Sequence, residues 1–351
     1  MRYPMSLKEA RIDFRKDFVF CRKPRPRRRR WKLYAWGPSV HSGRDPTRRP
    51  SASFHHRRPI GVCELGPDGA SGNASSRPSA HETQLDLDRY ARLDAKHRVV
   101  VVTGGARGIG RALARRFSAA GAQAVIVADR DVDGARVVAE EVGGEAYGCD
   151  VARESEVEQL IRQVEAAHGR IDIFCSNAGV AVDGGPEVET AEWQRLWEVN
   201  VMAHVFVARH VLPAMLARHE GYLLGTVSAA GLLNHFFAAP YGVTKAAALS
   251  FFEWLAIAHT DQGIRISCLC PQGVKTDMLA AERRKGLDFL TAHALEPEAV
   301  ADAVIAGLRD ERFLILPHPE VGEYFRRKAE DYDRWLRGMR RLRSGIMAAS
   351  Q

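Results

Sequence analysis

The tightest constraint on this chain lies at residues 98–110, Arg-Val-Val-Val-Val-Thr-Gly-Gly-Ala-Arg-Gly-Ile-Gly. The run of valines closed by Thr103 reads as a buried parallel strand. Gly104, Gly108 and Gly110 follow at once, and Ile109, Leu113 and Phe117 open a helical period. A strand feeding a glycine turn feeding a helix suits a dinucleotide diphosphate. The turn lacks side chains that would keep phosphates away, and the first helical N–H groups point at them. The same pattern alone also fits a tight strand–helix connection that binds nothing.

The charge is divided along the chain. Residues 1–97 carry 22 Lys and Arg against 10 Asp and Glu, whereas the remainder carries 29 against 33. The body is mildly acidic, so nucleic acid is not its expected partner. Residues 1–95 include the run Arg27–Arg30 and are rich in Pro, Ser, Gly, Arg and His, without an apolar period. Such a segment buries too little apolar surface to offset its ordering entropy, and a disordered basic extension is expected. A transit-like peptide competes, although Glu9, Asp13 and Asp17 argue against it, as does an over-extended reading frame. No apolar h-region marks a secretory signal.

Beyond Arg98, strands are expected at 124–128, 145–149, 171–175, 222–227, 264–269 and 313–316, with helices between them. One long helix spans about 192–218, bent by Pro213. Alternating strands and helices give an α/β doubly wound parallel sheet, a Rossmann fold. It occupies residues 96–318 as one domain, and residues 319–351 form a helical tail, read as one charged helix over 322–343. Six cysteines show no metal-ligand spacing, so no metal is expected, and free buried thiols fit a reducing cytoplasm. No run of 18 apolar residues occurs, and no membrane span is expected.

Ligands of an open parallel sheet collect at the carboxyl ends of its strands. There lie Gly104–Gly110, Asp129, Asp150 with Val151, Asn177-Ala178-Gly179, Ser228 and Pro271–Thr276. Asp129, about 20 residues past the glycine turn, can accept from both hydroxyls of an adenosine ribose and repels a 2′-phosphate. This favours NAD, whereas Arg107 and Arg130 leave NADP open. Asp150 and Val151 frame an adenine, or Asp150 caps the next helix. Tyr241 and Lys245 stand at i and i+4 on one helix face. A tyrosine of pKa about 10 is a poor base at neutral pH, and bringing it to about 7 takes about 4 kcal/mol of differential stabilisation. A nearby ammonium contributes to that, so the phenol can exchange a proton with an alcohol or carbonyl. A second Tyr-x-x-x-Lys, Tyr324 to Lys328, reads as a surface helix away from such company.

Thr103-Gly104-x-x-x-Gly108-Ile109-Gly110, Asn177-Ala178-Gly179, Asn200, Ser228 and Tyr241-x-x-x-Lys245, in that order, resemble the short-chain dehydrogenase/reductase family in its single-domain form. The resemblance covers residues 98–316. It implies that Tyr241 is the general acid/base and that Lys245 lowers its pKa and binds the nicotinamide ribose. Ser228 orients the reacting oxygen, Asn200 holds a relay water, and Pro271, Val274 and Thr276 line the nicotinamide. Two residues depart from the pattern, Ser176 for an asparagine and Gln272 for a glycine. The resemblance also implies a homodimer or homotetramer. The walls expected around the substrate are Val180–Pro186, Ala230–Pro240 and Met278–Leu290, with 276–295 as a lid. The middle wall is mostly apolar and suits an apolar secondary alcohol or ketone. The competing class is a dinucleotide-binding regulator without turnover.

Overall fold

Val99–Thr103 forms β1, five residues with no solvent-facing side. β-branched side chains suit a strand packed on both faces, and this one sits at the centre of the sheet. The computed structural model describes residues 95–281, 291 and 293–349. The expected basic extension, as residues 1–94, and residues 282–290 and 292 of the expected lid lie outside them.

The strands β2 (Ala124–Asp129), β3 (Glu145–Gly148), β4 (Ile173–Ser176), β5 (Gly221–Thr226), β6 (Ile264–Leu269) and β7 (Leu314–Ile315) join β1 in one sheet. Their order is β3-β2-β1-β4-β5-β6-β7, and every pairing is parallel. The order reverses between β1 and β4, so a crevice opens there above the carboxyl ends.

Between the strands run α1 (Gly108–Ala119), α2 (Val132–Val142), α3 (Glu154–His168), α4 (Thr190–Trp197), α5 (Ala203–Ala217), α6 (Ala229–Leu233), α7 (Ala239–His259), α8 (Asp277–Ala281) and α9 (Pro297–Arg309). Alternate residues of β1 and β2 serve opposite layers. Val99, Val101 and Ile126 pack with α3, α5 and α7, whereas Val100, Val102 and Val127 pack with α1, α2 and α9. Local signals place the ends. The Asp131 side chain accepts from Gly134 N to start α2, and Gly143, at φ 63°, ends it.

Two expectations change. The long helix is not regular throughout: Glu198–Met202 forms a π-turn between α4 and α5, upstream of Pro213. The tail is two helices, α10 (Glu320–Glu330) and α11 (Tyr332–Ala349), parted at Asp331. Thr190–Ala217 is also long and apolar enough to cross a membrane by length and composition alone, a test that a buried core helix meets as well. Half of its most apolar window is buried inside this fold, through residues such as Val207, Val211 and Met215.

Glycine sets how closely α7 approaches the sheet. A Cβ at Gly225 of β5 would lie 2.1 Å from the Phe252 ring of α7. Gly225→Val should therefore lower stability by roughly 2–3 kcal/mol through overpacking. Denaturant unfolding of the two proteins measures this, and equal midpoints would contradict the packing described.

Candidate active site

The glycine turn is built by close approach. Gly104 has φ +64°, and a Cβ there would lie 2.8 Å from the Ala178 Cα. A Cβ at Gly110 would lie 2.0 Å from the Gly104 carbonyl oxygen. Both positions thus exclude any side chain. Asn177 clamps the turn from β4. Its Nδ2 donates to Thr103 O at 2.9 Å, and its Oδ1 accepts from Thr226 Oγ1 at 2.9 Å, so one amide ties the ends of β1, β4 and β5. α1 starts at Arg107 with no side-chain cap and no acidic residue in its first turn. Its leading N–H groups suit an anion.

Gly104, Arg107, Gly108, Ile109 and Gly110 line one arm of a cavity of about 1640 Å³. Asp129, Asp150, Val151, Asn177, Ala178 and Gly179 extend that arm along the strand ends. Asp129 accepts from Ala106 N at 3.1 Å and Asp131 N at 3.0 Å, holding the turn against the β2 end. Asp150 accepts from Ala152 N at 3.1 Å, so it caps its turn and lines the cavity as well. Arg107 lies 3.6 Å from Asp131 and 3.7 Å from Asp277, whereas Arg130 is exposed at the rim. A diphosphate on the glycine turn and a ribose at Asp129 fit this arm.

The other arm holds Ser228, Tyr241 and Lys245, with Pro271, Gln272, Val274 and Thr276 where the two meet. Ser228 precedes α6, and its Oγ accepts from Ala230 N at 3.0 Å, leaving the hydroxyl proton to donate. Tyr241 is half-buried, its ring 5.8 Å from Lys245 Nζ and 6.2 Å from the His235 ring. Lys245 is 3 % exposed and donates to Thr226 O at 2.9 Å. Burial pushes its pKa down to about 8.

Asn200 is fully buried in the π-turn and does not line the cavity directly. Its Oδ1 accepts from Val180 N, and its Nδ2 donates to Val180 O and to Thr244 Oγ1, at 2.9, 2.9 and 3.1 Å. A Cβ at Gly179 would sit 3.2 Å from Lys245 Nζ and 3.4 Å from Asn200 Oδ1, so glycine lets these two flank the loop after β4.

Sequence reasoning missed two features. Ser176, the first departure, faces the buried His204, with Oγ and Nδ1 2.7 Å apart. Burial, with a smaller contribution from the Lys245 charge, lowers the His204 pKa to about 3 and keeps its ring neutral. The only sequence signal was a lone histidine on an apolar helix. The second feature is the tail. Tyr324, Trp335, Met339 and Leu342 close the cavity's far wall, and Lys328 donates to Leu232 O of α6 at 2.6 Å. The second Tyr-x-x-x-Lys thus stands beside the site, with its lysine committed to structure. Of the expected walls, Val180, Ala181, Leu233, Phe236, Met278 and Leu279 line the cavity. Among the described residues, no group of three or more His, Cys, Asp or Glu side chains is placed to hold a metal ion.

Residues 98–286 match the short chain dehydrogenase family. The chain belongs to the short-chain dehydrogenase/reductase family. It is 36% identical over 225 residues to meso-2,3-butanediol dehydrogenase of Serratia marcescens, across 61% of this chain and 88% of that one. It is 31% identical over 253 residues to the sex determination protein tasselseed-2 of Zea mays, across 70% and 71% of the two chains. A short-chain dehydrogenase/reductase of Burkholderia phymatum, solved in complex with NAD, superposes with a TM-score of 0.63 at 27% identity. That match covers 69% of this chain and 96% of that one. The matched family segment carries the glycine turn, Ser228, Tyr241 and Lys245, whereas α10 and α11 lie beyond it.

The Lys245 pKa has a consequence for stability. Free lysine titrates near 10.5, so between about pH 8 and 10.5 the unfolded chain binds more protons than the folded one. Stability contributed through Lys245 therefore rises with pH across that window. Relative to Lys245→Met, the wild type should gain about 2 kcal/mol between about pH 7 and 9.5, read from paired denaturant titrations. A pH-independent difference would mean that the amine is not desolvated.

Proposed function

We propose that this protein is an NAD(P)-dependent oxidoreductase interconverting an apolar secondary alcohol and its ketone. The observation that carries the reading is the pairing, in one cavity, of a glycine-turn arm with a phenol held beside a buried amine. A bound nicotinamide dinucleotide supplies the hydride acceptor or donor, chemistry that no side chain here provides. The glycine turn and the start of α1 would hold its diphosphate. Asp129 would take the adenosine ribose, Asp150 and Val151 the adenine, and Asn177, Ala178 and Gly179 the strand-end side. Pro271, Val274 and Thr276 would line the nicotinamide, with Thr276 near its carboxamide.

Tyr241 Oη takes the proton of the alcohol, or returns it to the carbonyl. The Lys245 ammonium stabilises the phenolate and would hold the nicotinamide ribose of a bound cofactor. Ser228 donates to the reacting oxygen. Asn200 acts through position, because both amide protons are used by Val180 O and Thr244 Oγ1. A relay water would find on this side chain only the second lone pair of Oδ1. Asp129 at the end of β2 favours NAD, and Asp131 and Asp277 draw Arg107 away from a 2′-phosphate. Leu233, Phe236 and Trp335 give the substrate arm an apolar character. A dinucleotide sensor without turnover would use the glycine turn but gives no reason for a lysine buried beside a phenol.

Val243, Trp254 and Ile257 of α7 and Trp197 of α4 are large exposed apolar residues, which supports a homodimer or homotetramer paired through these helices. The described cysteines, Cys149, Cys175, Cys268 and Cys270, are buried and unbridged, which supports a cytoplasmic setting.

The test is a panel of apolar secondary alcohols with NAD and NADP, followed at the absorbance of the reduced nicotinamide. NAD should be preferred by on the order of tenfold, because the Asp129 carboxylate opposes a 2′-phosphate. Tyr241→Phe should retain NAD binding and lose at least about 100-fold in kcat. Undiminished turnover by that variant would sink the mechanism, and a preference for NADP would sink the cofactor assignment.

A further inference from the structure

We propose that α11, a helix that also lines the substrate cavity, is a docking surface for an anionic lipid bilayer. The helix carries five arginines and one acid, Asp333, on a body in which acids outnumber bases. At about 100° per residue its apolar side chains fall in one arc of roughly 140°, and most of its arginines in another. The two edges of the apolar arc differ. Trp335 and Met339 turn toward the molecule and line the cavity with Leu342, and Ile346 is buried against Phe236 and Phe237. Tyr332, Leu336 and Met347 turn outward and are 57, 48 and 42 % exposed.

Arg343, inside the apolar arc, fastens the helix. Its guanidinium lies 5.6 Å over the Phe237 ring, and its Nε donates to Phe236 O at 3.3 Å. Arg334, Arg337, Arg340 and Arg341 make no ion pair among the described residues, unlike Arg326 and Arg327 of α10, which pair with Glu323. An apolar edge flanked by unpaired guanidinium groups matches a surface that is greasy below and anionic above. Nucleic acid would use the arginines and leave Leu336 and Met347 without a role. A second copy would bring two arginine arcs into one interface. Because Trp335 and Leu342 belong to the same helix, a docked molecule holds this wall of the cavity against the bilayer.

The test uses the full-length protein and vesicle flotation, with phosphatidylcholine alone or with ~30 mol % phosphatidylserine. The wild type should float with the anionic vesicles and lose that binding in high salt. Arg337→Gln and Arg340→Gln should each weaken partitioning about fivefold. Leu336→Ser with Met347→Ser should weaken it on the order of tenfold. All these side chains lie outside the cavity lining, so NAD binding and melting temperature should match the wild type. If the double variant is unstable, Leu336→Gln alone gives the same reading. Basic residues ahead of β1 are common to all variants and cancel in the comparison. Three results overturn the proposal. The wild type is left unfloated, or every variant floats equally. Alternatively, Leu336→Ser changes the sedimenting mass, or Arg337→Gln the affinity for duplex DNA, while vesicles are ignored.

Discussion

A cation buried beneath the strand ends governs how the reacting half of this molecule is put together. Lys245 is 3 % exposed, so its ammonium must be satisfied mainly by what surrounds it. The carbonyl of Thr226 gives it one fixed partner, binding α7 to the end of β5. The loop after β4 must then pass beside the amine without a side chain, and Gly179 meets that demand. Asn200 grips the next residue, Val180, through both its N–H and its carbonyl, and reaches α7 through Thr244. The phenol of Tyr241 inherits its position from this frame. It lies one helical turn before a residue that has very little freedom to move.

Much of this was legible in the sequence because it follows from short-range chemistry. A run of valines, three glycines and a helical period define β1, its turn and α1 without help from distant residues. The strand-end positions also follow, since parallel sheets place them together. The cavity gathers Asp129, Asn177, Ser228, Tyr241 and Lys245 from three different strand ends and a helix.

What could not be read depends on packing between distant segments. Nothing near Glu198 signals a π-turn; it becomes evident only once Asn200 is seen holding Val180. Ser176 looked like a simple loss of an asparagine until His204, 28 residues later, was found opposite it. The tail was read as one surface helix because its arginines dominate its composition. Ile346 of α11 finds its partners in Phe236 and Phe237, between α6 and α7, about a hundred positions earlier.

The π-turn has one more implication. A π-turn holds one residue more than a regular helix of the same length. Removing a single residue between Glu198 and Met202 would let α4 and α5 merge into one regular rod. The sheet and both apolar layers would have no reason to object. The amide that fastens Val180 would rotate out of reach, and the loop bearing Gly179 would lose its anchor. A shortening that makes the helix more regular would thus leave the architecture standing and dismantle its chemistry.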